Sequence, residues 1–309
     1  TRFDPATGAW TPVANKPTAA ANSAIAVVNG LVYVLGGYDP DAPEPFLDDL
    51  EVYDPASDHW EIAPPLPIPL SGAAAAAYEG SIYLFGGSGP AGDSDATYRY
   101  DPQTQAWETR APMPGGARIF ARAVSLGEYI YVAGGWPNIK GLWRYHPATD
   151  TWKALAPMRV GRHSMAIAAQ GNYLYVAGGG SDWTGLASAE RYDVASDSWE
   201  LLPALQDGNR AGAAGAWLDG RFYVVGGAGE RTTAAVEVLS LAAPLGGSRL
   251  EVDQPIARAG DTLRYSLLVR NPVPANAAAS WSLALPPQVA YVPGSATGGA
   301  TYDAKARTL

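Results

Sequence analysis

The chain has 309 residues, 47% of them hydrophobic and 17% charged, with a formal net charge of −9. That is ample for a large core and more than one domain. Cysteine is absent, which excludes disulfides, thiolate metal sites and a cysteine nucleophile while leaving the compartment open. The acidity argues against a phosphate-backbone binder, which usually carries a basic stripe, and no apolar run reaches the length of a transmembrane helix.

Residues 1–242 hold 15 basic and 26 acidic residues, a balance of −11, and the remainder carries +2. The acidity therefore belongs to the first part. The chain begins at Thr1 without methionine or signal peptide and stops in mid-pattern at Leu309, so it is expected to be a piece of something longer.

In chain order, a first strand at Thr1–Asp4 ends in Phe3-Asp4-Pro5 and a second follows around Trp10. That signature returns as Tyr53-Asp54-Pro55 with Trp60, Tyr100-Asp101-Pro102 with Trp107, Tyr145-His146-Pro147 with Trp152, and Tyr192-Asp193-Val194 with Trp199. A glycine pair keeps the same beat at Gly36-Gly37, Gly86-Gly87, Gly134-Gly135, Gly178-Gly179 and Gly226-Gly227, spaced 50, 48, 44 and 48 residues. Three markers in constant phase make the chain an array of units. Within one unit, Ser164–Ala169, Tyr173–Ala177, Ala189–Asp193 and Ser198–Leu202 read as four strands between turn signals. Such a sheet buries both faces only by repeating around an axis, which predicts a propeller. Complete units are expected at 19–64, 68–111, 116–157 and 160–203. The last unit offers a third-strand candidate at Ala235–Leu241 but no tryptophan.

The glycine pairs, Tyr-Asp-Pro phrases and tryptophans at this spacing resemble kelch repeats over residues 1–242. The fold class expected is therefore all-β: a kelch-type β-propeller of four-stranded blades, six when intact with seven the alternative, followed by a partial immunoglobulin-like β-sandwich. WD-repeat propellers have a shorter period and Gly-His and Trp-Asp signatures that are missing here. Residues 243–249 read as a linker. Residues 250–309 carry Gly260-Asp261, Tyr265, Val269, Asn271, Leu285-Pro286 and Val289, and resemble the bacterial surface-protein repeat labelled DUF11, cut short before its closing strands. One departure is that Ser282-Leu283-Ala284 stands where an Asp usually precedes the Leu-Pro. This resemblance implies an exported, extracellular or cell-surface protein, monomeric within a larger multidomain chain.

Topology narrows the site. In a four-strand meander the loop before the first strand and the loop between the second and third strands share one face. Counting back 16 residues from each first glycine gives Ala20, Leu70, Arg118, Arg162 and Arg210, so three units place an arginine at the channel mouth. The resemblance to kelch proteins that bind acidic peptides or sugars implies ligand contact for Arg118, Arg162 and Arg210. The competing reading pairs them with acidic groups or backbone carbonyls near the axis. The loops on that face add Tyr38, Trp136 and Trp183 for apolar contact or sugar stacking, with Trp183 in the polar run Ser181-Asp182-Trp183-Thr184-Gly185 expected to be exposed. The acidic cluster Asp39, Asp41, Glu44, Asp48 and Asp49 lacks a calcium-loop pattern and reads as a solvated loop. No metal and no cofactor is expected.

Catalytic readings weaken one by one. Copper-radical oxidases resembling galactose oxidase need a cysteine. Iron-dependent specifier-type kelch proteins need Glu, Asp and His at spacings of four, where Glu44 and Asp48 are followed by Val52. A sialic-acid mutarotase-like role needs positioned acid–base groups; of the three histidines, His59 and His146 read as structural and His163 is the weak candidate. Serine-hydrolase, zinc-protease and phosphate-loop motifs are absent. The expected function is a non-catalytic module binding a glycan or acidic peptide. The alternatives are the mutarotase and a purely structural segment.

Overall fold

The computed structural model describes residues 1–181, 184–229, 232–239, 249–252 and 265–268, and contacts divide the chain into two units, Thr1–Ser240 and Leu241–Leu309. Among the described residues every regular element is a β-strand. Blade 1 consists of Ala24–Val28, Leu31–Tyr38, Phe46–Asp54 and His59–Ala63; blade 2 of Ala74–Tyr78, Ser81–Phe85, Thr97–Asp101 and Ala106–Arg110. Blade 3 is built from Arg122–Leu126, Tyr129–Ala133, Leu142–His146 and Thr151–Ala154, and blade 4 from Ala166–Gln170, Tyr173–Ala177, Ala189–Asp193 and Ser198–Leu202. Each is an antiparallel sheet in chain order. Among the described residues blade 5 has three strands, Ala214–Leu218, Arg221–Val225 and Val236–Leu239, and the hairpin Arg2–Asp4/Ala9–Thr11 before blade 1 is a separate sheet. Inner strands of successive blades pack side by side around the axis.

Second strands read as unbroken apolar runs because both their faces are covered. In blade 2, Ile82 and Leu84 pack toward blade 1, while Tyr83 and Phe85 pack toward blade 3. The inner strand of blade 4 begins at Ala166, two residues later than expected, because Ser164 has φ +51° and a left-handed residue cannot continue a strand.

All three sequence markers turn out to be seams between blades. The N–H of the second glycine donates to a carbonyl of the next blade: Gly37 to Leu70 at 2.9 Å, Gly87 to Arg118 at 2.9 Å, Gly135 to Arg162 at 3.2 Å and Gly179 to Arg210 at 2.8 Å. The first glycine must lack a side chain, since a Cβ on Gly134 would lie 2.1 Å from the Arg162 oxygen. The tryptophan indoles of blades 1, 3 and 4 donate to the preceding connector, Trp60 to Ala14 O at 3.1 Å, Trp152 to Ala111 O at 2.9 Å and Trp199 to Ala156 O at 2.8 Å. The marker tyrosines complete the latch. Tyr53, Tyr145 and Tyr192 donate to Asp58, Asp150 and Asp197 at 2.7, 2.6 and 2.6 Å, and the same oxygens accept the N–H of Ala14, Ala111 and Ala156. Blade 2 has Gln105 in the aspartate position and Pro64, with no N–H, in the connector; its Trp107 still reaches Pro64 O at 3.4 Å.

In the second unit, Arg249–Val252 pairs antiparallel with Tyr265–Leu268. The rest of 243–309, and with it the expected immunoglobulin-like sandwich, lies outside the described residues.

Candidate functional site

The connectors before the inner strands and the loops after the glycine pairs are joined by repeated bridges, Ala21 with Tyr38, Ile119 with Trp136, His163 with Gly180 and Ala211 with Ala228. They therefore form one face around the channel mouth. A belt of hydrogen bonds runs round that mouth: Gly72 N to Asn22 O, Phe120 N to Gly72 O, Ser164 N to Phe120 O and Gly212 N to Ser164 O, all at 2.7–2.8 Å. All five belt residues have positive φ. Glycine and asparagine suit that conformation; a phenylalanine does not. Yet Phe120 sits there at φ +58°, its ring over Gly72 and 6.1 Å from the His163 imidazole. The His163 Nδ1 lies 3.2 Å from Ser164 Oγ.

The three arginines do not present their guanidinium groups at the channel mouth, where ligand contact was expected of them. Arg118, Arg162 and Arg210 are 1%, 0% and 1% exposed, and their side chains turn into their own blades. Arg162 donates to Gly178 O at 2.5 Å, Ser188 O at 2.9 Å, Ser188 Oγ at 3.0 Å and Glu190 Oε1 at 2.7 Å. Arg210 meets Glu237 at 3.0 Å and Asp207 at 3.5 Å. Arg118 stacks 3.7 Å over the Trp143 ring, and burial pushes its pKa down to about 10. The reading in which these arginines pair inside the fold is the one the geometry matches.

What sequence reasoning missed is the partner position, two residues before each marker tyrosine. It holds Glu51, Tyr98, Trp143 and Glu190 in blades 1–4, and Glu237 two residues before Leu239, which stands in the tyrosine place of blade 5; these match Ala20, Leu70, Arg118, Arg162 and Arg210. In blade 1, where Ala20 offers no charge, Lys16 pairs with Glu51 and the Thr18 N–H adds a bond at 2.9 Å. In blade 2, Leu70 and Tyr98 are simply core. Four units thus brace the connector against the third strand, by an ion pair in blades 1, 4 and 5 and a cation–π stack in blade 3.

Of the aromatics, Trp136 is 42% exposed. Tyr38 is half-buried at the end of a strand, its ring edge-on to Phe46 at 5.4 Å, so it is less available than a loop residue would be. Trp183 lies outside the described residues, between the short paired strands Gly180–Ser181 and Thr184–Gly185. Arg122, on the inner strand of blade 3, was not singled out by sequence; it reaches Met165 O of blade 4 at 3.2 Å, and burial lowers its pKa.

The family model described as the KLHDC2/KLHL20/DRC7 kelch-repeats domain matches residues 1–179, and that of the kelch motif matches residues 161–206. No curated protein matches the chain. Among solved structures, that of YjhT is similar with a TM-score of 0.66 at 17% identity, covering 75% of this chain and 85% of its own. At that identity the likeness shows the fold.

Proposed function

The chain belongs to the kelch-repeat family, and on that premise we propose that it is a non-catalytic recognition module whose ligand, a peptide or a glycan, sits on the channel-mouth face. One observation carries the reading: Phe120 is held left-handed at φ +58° where the equivalent residues of blades 2 and 5 are Gly72 and Gly212. The fold accepts glycine in that place, so a strained aromatic beside His163 and the exposed Trp136 is kept for contact with something else. Aromatic faces at a polar mouth suit stacking on sugar rings or capture of apolar peptide side chains. Arg118, Arg162 and Arg210 act in this reading as struts that set the loops, and they supply no anion preference of their own. Trp183, outside the described residues, stays in the proposal on its sequence position alone.

The mutarotase alternative needs His163 to work with the arginines. Their guanidinium groups are committed to Glu190, Glu237 and Trp143, so nothing in the site favours it. Export and surface display are likewise proposals; they rest on the DUF11-like motifs of residues 250–309.

The test is a glycan and peptide array probed with the 309-residue chain beside Trp136→Ala and Phe120→Gly variants. Binding that both variants lose while still folded is the expected result. An array signal unchanged in both, or acceleration of a free sugar's anomerisation by the parent chain, would overturn the proposal.

A further inference from the structure

The carboxylates of the propeller repeat as regularly as its tryptophans. The residue after the marker tyrosine is Asp54, Asp101 and Asp193 in blades 1, 2 and 4, and the residue after the tryptophan is Glu61, Glu108 and Glu200. Blade 3 replaces both, with His146 and Lys153. In blades 2 and 4 the glutamate faces a third-strand arginine across the sheet and neutralises it, Glu108 with Arg99 at 3.2 Å and Glu200 with Arg191. In blade 3 the same register sets Arg144 directly opposite Lys153. Like charges in that relation destabilise a sheet, so the pair needs a compensating partner.

His146 keeps the turn-capping duty of the missing aspartate. Its Nδ1 lies 3.2 Å from Thr149 N and 2.8 Å from Thr149 Oγ1. A ring nitrogen that accepts a backbone N–H leaves the proton on Nε2, so the other edge of the ring is a donor. The Arg144 guanidinium lies flat over the Tyr129 ring at 4.2 Å. Together with Lys153 and the Thr149 and Thr151 side chains, these groups line a cavity of about 350 Å³ whose lining holds no carboxylate. From the neighbouring blade, Asp197 feels both Arg144 and Lys153, while its Oδ1 accepts from Tyr192 Oη and Ala156 N, and it is not among the residues that line the cavity. The cavity is formed on the strand ends and turn opposite the channel-mouth face, within a propeller that is acidic as a whole.

We propose that this cavity binds the phosphate or sulfate group of a small monoester. The Lys153 ammonium, the Arg144 guanidinium, the His146 Nε2–H and the threonine hydroxyls are the donors such a tetrahedral oxyanion uses. A volume of about 350 Å³ exceeds that of the bare anion and leaves room for the organic part.

The test is thermal unfolding of the 309-residue chain with glycerol phosphate and with sulfate, each against chloride at equal ionic strength. Phosphorus NMR of glycerol phosphate follows in parallel. Lys153→Glu restores the charge pattern of blades 2 and 4 and is expected to raise Tm without ligand while losing affinity at least tenfold. Lys153→Gln serves as a second variant that adds no new ion pair. A monoester-dependent rise in Tm and line broadening in the parent, absent from both variants, is the expected result. A parent response no larger than that to chloride, or an equal response in either folded variant, would overturn the proposal.

Discussion

Glu190→Ala should be among the most damaging single changes in the propeller, although the residue touches no ligand. Glu190 is 0% exposed. Its Oε1 accepts from Arg162 Nη2 at 2.7 Å and from Val160 N at 3.0 Å, and its Oε2 accepts from Arg159 N at 2.8 Å. Alanine removes an acceptor from three donors and leaves a guanidinium inside the blade with only Gly178 and Ser188 for company. Removing one side of a buried ion pair costs about 3–5 kcal/mol. In a domain of this size 1 kcal/mol moves Tm by about 2–4 °C, so a fall of about 6–20 °C is expected. Urea unfolding followed by tryptophan fluorescence measures it directly. The informative control is Arg162→Leu with Glu190→Tyr, which copies the residues of blade 2, where Leu70 and Tyr98 belong to one apolar cluster. That double variant should recover most of the loss, because two uncharged groups leave no charge stranded. A cost below about 1 kcal/mol for Glu190→Ala, or a double variant as weak as the two single changes summed, would refute the reasoning and free Arg162 for another role.

Gly134→Ala should cost roughly 3 kcal/mol or more, since its Cβ would meet Arg162 O at 2.1 Å. Gly226→Ala, whose Cβ meets Thr233 O only at 3.6 Å, should cost just the left-handed backbone penalty of about 1 kcal/mol; chemical denaturation separates the two. The Asp197 carboxyl is held below its ordinary pKa by the Tyr192 hydroxyl first and the Ala156 N–H second. Its contribution is therefore fully present above about pH 4 and lost as pH falls through the depressed value. Asp197→Asn should accordingly show a shallower loss of stability between pH 5 and pH 3 than the parent. Gln105→Asp alone should do little in blade 2, because Pro64 has no N–H to donate; adding Pro64→Ala should give a favourable coupling of about 1 kcal/mol in a double-mutant cycle. Phe120→Gly should leave stability unchanged or raise it by about 1 kcal/mol, and a clear destabilisation would instead make its ring a core element.

The blades were legible because their signals are local and repeated. The strand pairs Tyr173–Ala177 and Ala189–Asp193 emerge at the residues their alternation and turn signals indicate, and the end strands Arg2–Asp4 and Val236–Leu239 fall within the segments expected. The face of the candidate site was legible too, since meander topology puts the two loop classes together before any side chain is considered. Phe120 could have been found in the sequence, because aligning it with Asn22, Gly72, Ser164 and Gly212 sets one bulky aromatic among residues that tolerate positive φ. The displaced charges at His146 and Lys153 were equally visible in the repeat alignment, although only the cross-strand register shows that Lys153 faces Arg144.

By itself, then, the sequence determined the repeat, the four-strand blade, the phase of the glycine, tyrosine and tryptophan markers, and which two loop classes share a face. Tertiary structure alone decided where the arginines point. The partner of Arg162 lies 28 residues downstream and that of Arg210 lies 27 downstream, each on a strand brought alongside only by sheet pairing. A guanidinium taken out of water must find its acceptors, and in these blades the third strand offers them first. Spacing along a chain records where a side chain starts; the choice between solvent and a buried partner is made by the desolvation and hydrogen bonding of groups that meet only in the fold.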